Sequence, residues 1–323
     1  MKRVAFLSAK VAGIVETTEV LPPLKPDEVR GRTLVSLVSP GTERSLLELA
    51  SFPFYPGYAA VFRVDEKGED VADLAIGDKV FCSGPHQEIQ TFPRGTVATL
   101  PRGLDPAVAV FARLAGVSMS TLNTAATQPP ARVLVTGLGP VGNLAAQIFA
   151  RCGYEVTAVD PVEERRKLAI QMGVRDVRVS ISEGFSLEDT ISIAVECSGH
   201  EQAALDACRC LRKRGEVVVV GRNWKKYTDL SAHDLLEAVF KRYAVLRSGW
   251  EWEVPMIASD FHPHSLMANY AVALRWLSEG SLQTSGFAET YSPDSAYEVY
   301  SCLLTGANRT PCAIFDWQRN GVG

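Results

Sequence analysis

The sequence predicts an α/β protein of two domains, one β-rich and one built on a doubly wound parallel sheet. Three observations carry that expectation. The first hundred or so residues alternate over short strands broken by Gly and Pro, as in Arg32 to Val38, Tyr58 to Val64, Lys79 to Cys82 and Gln87 to Phe92. After a helical stretch from about Ala107 to Ala125, apolar runs and amphipathic stretches alternate from Val133 to about Ser248. The pattern changes again after Trp250, to two helices and a last strand, Pro311 to Asp316.

The central alternation gives about six parallel strands: Val133 to Thr136, Glu155 to Val159, Val177 to Val179, Ile191 to Cys197, Glu216 to Val220 and Tyr243 to Arg247. Helices from about Val141 to Arg151, Glu163 to Met172, Glu201 to Leu211 and Ala232 to Lys241 connect them. Because that sheet is then complete, the tail, with helices from about Ser265 to Ser278 and Asp294 to Leu304, is expected to rejoin the N-terminal β domain. The expected division is 1–120 with 250–323, and 121–249 as an insert, with the active site in the cleft between them.

Bulk properties bound the function. A chain of 323 residues can bury two cores. A net charge of −4 offers no electrostatic footprint for nucleic acid or anionic membrane. No apolar run approaches the roughly 20 residues that span a bilayer. The N-terminus reads as a strand rather than a signal peptide, so a cytoplasmic protein is expected. Seven scattered cysteines, an odd number without CxxC, argue against a disulfide framework. His262, His264 and Asp260 form a weak candidate metal trio, and no metal is assigned.

The segment ARVLVTGLGPVGNLAAQIFARCGYEVTAVD, Ala131 to Asp160, carries the chemistry. Gly137, Gly139 and Gly142 follow a buried strand and open a helix, with Pro140 and Val141 at its start. This is the dinucleotide-binding pattern in its strand–turn–helix–strand context. Gly137 permits the tight turn, Gly139 lets the backbone approach a pyrophosphate, and Gly142 lets the helix pack on the strand. The positive end of that helix then faces the phosphates.

Asp160, eighteen residues past the last glycine, ends the second strand. A carboxylate there accepts hydrogen bonds from both ribose hydroxyls and repels a 2′-phosphate, which points to NAD(H) over NADP(H). Arg165 and Arg166 either reach a 2′-phosphate or lie on the solvated face of the next helix. Further cofactor candidates stand at the carboxyl ends of later strands: Cys197, Ser198 and Gly199; Gly221 and Arg222; and Ser248. Trp224, Trp250 and Trp252 leave the same strand ends and either wall a pocket for a planar or ring-shaped substrate or pack between domains.

Local motifs across nearly the whole chain resemble the medium-chain dehydrogenase/reductase superfamily, to which zinc alcohol dehydrogenases belong. Gly77-Asp78-Lys79-Val80 is similar to its GDxV strand start, Pro56-Gly57 to its PGHE motif, Gly41-Thr42-Glu43 to its CGT[DE] motif, and AIFDW to its closing strand. The resemblance implies a GroES-like β-rich catalytic domain beside a Rossmann domain. The segments SPGTE, PGY and GPH are similar to a branch holding bacteriochlorophyllide, sugar and cyclitol dehydrogenases. The resemblance also implies a homodimer paired along the last Rossmann strand, Tyr243 to Arg247, whose edge invites pairing.

The departures matter equally. Zinc members hold their metal with a Cys, a His beside a Glu, and a second Cys or Asp. Here those positions read Pro40, Tyr58-Ala59 and, near FARLAGVS, Ala115; the four-cysteine structural lobe is missing. The resemblance therefore implies a zinc-independent member.

Without zinc a hydrogen-bond donor must serve the substrate oxygen. Tyr58 is a candidate acid, or an aromatic filler. Thr42 matches the hydroxyl that relays the proton in zinc members, or is a turn threonine. His86, in CSGPHQEIQ, is a candidate proton shuttle, or a structural loop histidine. Glu43 either pairs with an arginine or caps a helix running from Ser45.

The reading is a zinc-independent NAD(H)-dependent oxidoreductase that interconverts a secondary alcohol and a ketone on a small molecule such as a sugar or cyclitol. An NADPH-dependent quinone or enoyl reductase is the enzyme alternative. A non-catalytic NAD(H)-binding sensor or scaffold is the alternative from another class.

Overall fold

A computed structural model describes residues 1–18, 20–49, 51–182, 187–221, 225–307 and 309–319. The chain divides into two compact units: Met1–Arg113 with Met256–Ser259 and Tyr270–Gly323, and Leu114–Pro255 with Asp260–Asn269.

The first unit opens on an antiparallel hairpin, β1 (Lys2–Ser8) and β2 (Val11–Glu16). There follow β3 (Glu28–Val38), α1 (Pro40–Leu49), β4 (Ala60–Lys67), β5 (Lys79–Cys82), β6 (Ile89–Pro93) and β7 (Ala98–Thr99). The helical pattern expected from Ala107 to Ala125 divides in two. α2 (Pro106–Ala109) starts on Asp105, whose carboxylate accepts from the Ala107 N–H, with Pro106 at the first helical position. α3 (Ala112–Thr124) follows, and Phe111 at the interruption packs on Phe287, ring centroids 5.6 Å apart.

The second unit carries β8 (Arg132–Thr136), α4 (Pro140–Arg151), β9 (Glu155–Val159), α5 (Glu163–Gln171), β10 (Asp176–Arg178) and β11 (Ile191–Glu196). Next come α6 (Glu201–Cys210), β12 (Leu211–Val219), α7 (Ala232–Arg242) and β13 (Val245–Ser248). All five pairings are parallel, in the order β10-β9-β8-β11-β12-β13, the doubly wound order that the sequence predicts. β12 starts at Leu211, five residues before the expected Glu216, because the exposed run Arg212-Lys213-Arg214 gives no apolar signal.

The central strands β8 and β11 read as nearly unbroken apolar runs because both faces of the sheet are covered there. Successive residues of β8 point to opposite faces: Val133 and Val135 enter one core with Ala145, Ala146 and Phe149 of α4, and Leu134 enters the other with Leu205 of α6 and Ala238 of α7. Each fully buried Val or Leu contributes roughly 1.5–3 kcal/mol.

The chain ends with α8 (Leu266–Ser278), β14 (Ala288–Tyr291), α9 (Ala296–Thr305) and β15 (Cys312–Asp316). The last strand returns to the first unit, antiparallel to β3, within a sheet ordered β14-β15-β3-β4-β5-β7, with β6 also on β3. β14, which the sequence does not predict, pairs parallel to β15 across α9. The unit boundaries fall inside α3 and α8. Among the described residues no helix is long and apolar enough to cross a membrane.

Candidate active site

In the second unit the glycine turn follows β8 and lies against the carboxyl ends of β9 and β11. Gly137 turns there with φ of 84°, and its N–H donates to the Val159 carbonyl at 2.8 Å. A Cβ on Gly137 would stand 2.7 Å from the Ser198 backbone. One on Gly142 would stand 1.8 Å from the Gly137 carbonyl oxygen and 3.1 Å from the Cys197 Cβ. Gly142 thus packs against the turn and the end of β11 as well as supporting the helix.

Gly139 differs. Its φ is −61°, open to any residue, and a Cβ there would meet nothing within 4 Å. The protein itself does not require glycine at this point. Gly139 caps α4, no side chain caps that end, and Pro140 fills the first helical position. An open approach beside an uncapped helix N-terminus fits a pyrophosphate.

Asp160 is buried at the end of β9. One carboxylate oxygen accepts from the Leu138 N–H at 2.7 Å, the other from the Val162 N–H at 2.8 Å. The acid thereby ties the glycine turn to the start of α5. Arg165 Nη1 stands 3.4 Å from the same carboxylate, and Arg166 Nη1 donates to the Asp160 carbonyl at 2.8 Å. Arg165 keeps the solvated face expected of it, its side chain 48% exposed, while its guanidinium reaches the carboxylate; for Arg166, half-buried, that expectation is corrected, because it turns back to the strand end.

No motif in the sequence marks Glu196. This fully buried acid ends β11 and accepts from the N–H groups of Ser198 at 2.7 Å and Gly199 at 3.0 Å, and from the hydroxyls of Ser198 and Thr136. Burial pushes its carboxyl above the usual carboxylate range, and those donors oppose the rise. The signal was an acid closing the otherwise buried strand ISIAVE. Glu196 shapes the loop Cys197-Ser198-Gly199. Gly221 lies against that loop: its N–H donates to the Glu196 carbonyl at 2.7 Å, and a Cβ there would stand 2.3 Å from the Gly199 nitrogen.

Gly137, Gly139, Pro140, Val141, Gly142, Asp160, Cys197, Ser198, Gly199 and Gly221 therefore gather at adjoining strand ends. Ser248 ends β13 and, with Arg247, Trp250 and Glu253, lines a pocket of about 350 Å³. Trp250 and Trp252 are both about half exposed, at 53% and 55%. Arg222 and Trp224 lie outside the described residues.

The first unit holds the proposed proton donors. α1 begins at Pro40, so Thr42 and Glu43 lie in its first turns rather than ahead of a helix at Ser45. Gly57, with φ of 101°, carries the chain into Tyr58. The Tyr58 hydroxyl donates to Thr42 Oγ1 at 3.3 Å and also bonds the Ser39 side chain. The Arg113 guanidinium lies over the Tyr58 ring, 4.7 Å from its centroid. Burial pushes the phenol up to about 12, opposed by Arg113 and by the Ser39 and Thr42 hydroxyls, so Tyr58 carries its proton at neutral pH.

His86 has a different place from the one expected. It is 1% exposed; Nδ1 pairs with Ser36 Oγ at 2.8 Å and Nε2 with Glu43 Oε2 at 3.0 Å. The Ser39 N–H and the Tyr300 hydroxyl also donate to Glu43, and Trp317 Nε1 donates to Ser36 Oγ at 2.9 Å. Both ring nitrogens are engaged inside this core network, so a shuttle open to substrate is corrected to a buried structural histidine. Glu43 likewise pairs with His86 rather than an arginine.

Among the described residues no three His, Cys, Asp or Glu side chains are placed to hold a metal ion, and the cysteines are free thiols. Pro40 and Ala115 carry no donor atom, and a cation already lies on the Tyr58 ring. The donor set does not fit zinc.

A parallel sheet with a glycine turn and a closing acid is the arrangement of dinucleotide-binding folds. Residues 140–251 match the zinc-binding dehydrogenase family. The chain is 26% identical to an alcohol dehydrogenase of Geobacillus stearothermophilus over 61% of its own length and 71% of that protein's. It is 30% identical to the D-guloside 3-dehydrogenase of Escherichia coli K12 over 52% of its own length; it thus spans only about half, 51%, of that relative. Its fold superposes on galactitol-1-phosphate dehydrogenase from Escherichia coli with a TM-score of 0.81 at 20% identity, covering 98% of this chain and all of that one. A Sinorhizobium meliloti 1021 protein solved bound to NADP gives a TM-score of 0.78 at 17% identity over 98% of both chains. The comparisons thus show a match to the zinc-binding dehydrogenase family over residues 140–251 and, over nearly the whole chain, the fold of the medium-chain dehydrogenases/reductases.

Proposed function

We propose that this protein is a zinc-independent, NAD(H)-dependent oxidoreductase interconverting a secondary alcohol and a ketone, on a sugar, cyclitol or similar polyhydroxylated small molecule. The observation that carries the reading is the open approach at Gly139 beside the uncapped start of α4, next to the buried carboxylate of Asp160. Gly137, Pro140, Val141 and Gly142 shape the pyrophosphate cradle, and Asp160 faces the adenosine ribose. Cys197, Ser198, Gly199, Gly221, Arg222 and Ser248 serve the rest of the cofactor. Bound there, a nicotinamide supplies or takes up the hydride. Tyr58 donates its proton to the developing alkoxide, with Thr42 as the hydroxyl that relays its replacement.

The D-guloside 3-dehydrogenase relative supports a sugar-like substrate, and Trp250 offers such a ring an apolar face. The exposed Leu236, Phe240, Tyr243 and Val245 of α7 and the β13 edge support a homodimer with a mass twice 35.1 kDa; light scattering at one chain mass refutes it. The proposed location is the cytoplasm.

Arg165 and Arg166, both at the Asp160 end, favour a second reading, an NADPH-linked reductase. The discriminating experiment screens chelator-treated protein with NADH against ketoses, inosose-type ketones and simple quinones. Ketone-dependent NADH consumption is expected. Consumption only with NADPH and quinone supports the reductase; cofactor binding without any turnover supports the sensor.

A further inference from the structure

We propose that Arg113 acts on Tyr58 as the positive charge that a zinc ion supplies in metal-dependent members of the superfamily; this rests on the reading of Tyr58 as proton donor. The residues at the resembled ligand positions cannot hold the metal, and a cation already stands at one of them. Arg113 is 3% exposed, sits two residues before Ala115 in the sequence, and holds its guanidinium 4.7 Å from the Tyr58 ring centroid. Guanidinium stays charged throughout the working pH range and stacks flat on aromatic rings.

A guanidinium does not coordinate a carbonyl; it works through the phenol. In reduction, a hydride reaches the carbonyl carbon, the C=O π pair moves to oxygen, and that oxygen takes the Tyr58 proton. Negative charge is left on the phenol oxygen until a water proton replaces it through Thr42. Arg113 stabilises that transient charge. The other groups facing Tyr58 are the Ser39 and Thr42 hydroxyls, which also favour the phenolate, and the Glu43 carboxylate, which opposes it. Arg113 is thus a positioning residue of the proton donor.

A fluorinated tyrosine at position 58, with its lowered phenol pKa, reports that one group by absorbance. Arg113→Gln is expected to raise its pKa by roughly one unit, the loss of one screened charge at this distance. Arg113→Lys, which keeps charge without the planar stack, raises it by less. With natural Tyr58, Arg113→Gln lowers kcat for carbonyl reduction by about tenfold, one pKa unit's worth, with the KM for NADH unchanged. If the glutamine variant fails to fold, Arg113→Met removes the charge while keeping apolar bulk. An unchanged phenol pKa in the charge-removing variant overturns the proposal. A shifted pKa in a protein that reduces no carbonyl upholds the Arg113–Tyr58 pair and overturns the carbonyl reading instead.

Discussion

Replacing Gly142 with alanine is expected to unfold the second unit or cost at least about 3 kcal/mol, whereas Gly139→Ala should leave the fold intact and weaken the cofactor. The two glycines lie three residues apart and answer to different constraints. A Cβ at position 142 enters the Gly137 carbonyl oxygen at 1.8 Å, and the Cys197 side chain closes the other side. Backbone oxygen cannot yield as a flexible side chain would, so the glycine turn must open. At position 139 a Cβ meets nothing, and the φ of −61° suits alanine. The stability cost there is at most about 1 kcal/mol, the difference between glycine and alanine as a helix cap. The added methyl instead occupies the space through which a pyrophosphate reaches the α4 N–H groups. NADH affinity should fall roughly tenfold or more, at least 1.4 kcal/mol. Thermal unfolding and fluorescence titration of the two variants measure this contrast directly.

The second large effect belongs to Tyr58→Phe. The ring stays under Arg113 and the strand entry is unchanged, so the fold should tolerate the loss of one hydroxyl. Turnover should not: a proton donor of this kind contributes typically 10²–10⁴-fold. Because Tyr58 is proposed to serve the substrate oxygen and not the cofactor, the Kd for NADH should stay as in wild type. A Tyr58→Phe protein with near-full kcat would remove Tyr58 from the chemistry and leave Thr42 as the remaining candidate donor.

How much of this was legible in the sequence follows from what each residue faces. The central parallel strands β8 and β11 were readable because both faces are buried there, which writes them as continuous apolar runs such as Val133 to Val135. The glycine turn was readable because close backbone approach excludes other side chains at Gly137 and Gly142. β14 was not: Ala-Glu-Thr-Tyr is half-buried throughout and carries no periodic signal. His86 was misread because a loop histidine looks the same whether it meets solvent or a Ser36–Glu43 pair from distant strand and helix. Arg166 was misread because a charged first turn resembles a solvated face; only the fold reveals the Asp160 carbonyl beside it, while Arg165 keeps its exposed place. Arg113 was legible in principle, since one arginine inside the apolar stretch FARLAGV needs a buried partner. Its partner, Tyr58, lies far away in sequence, and no local pattern joins them.

The most direct test is a titration of metal-stripped protein with NADH and, separately, NADPH, followed by nicotinamide fluorescence. Binding of NADH without metal, tighter than NADPH, is the expected result, with Asp160 as the selecting carboxylate. Tighter binding of NADPH would contradict it and assign Arg165 and Arg166 to a 2′-phosphate; binding of neither would contradict the cofactor site itself.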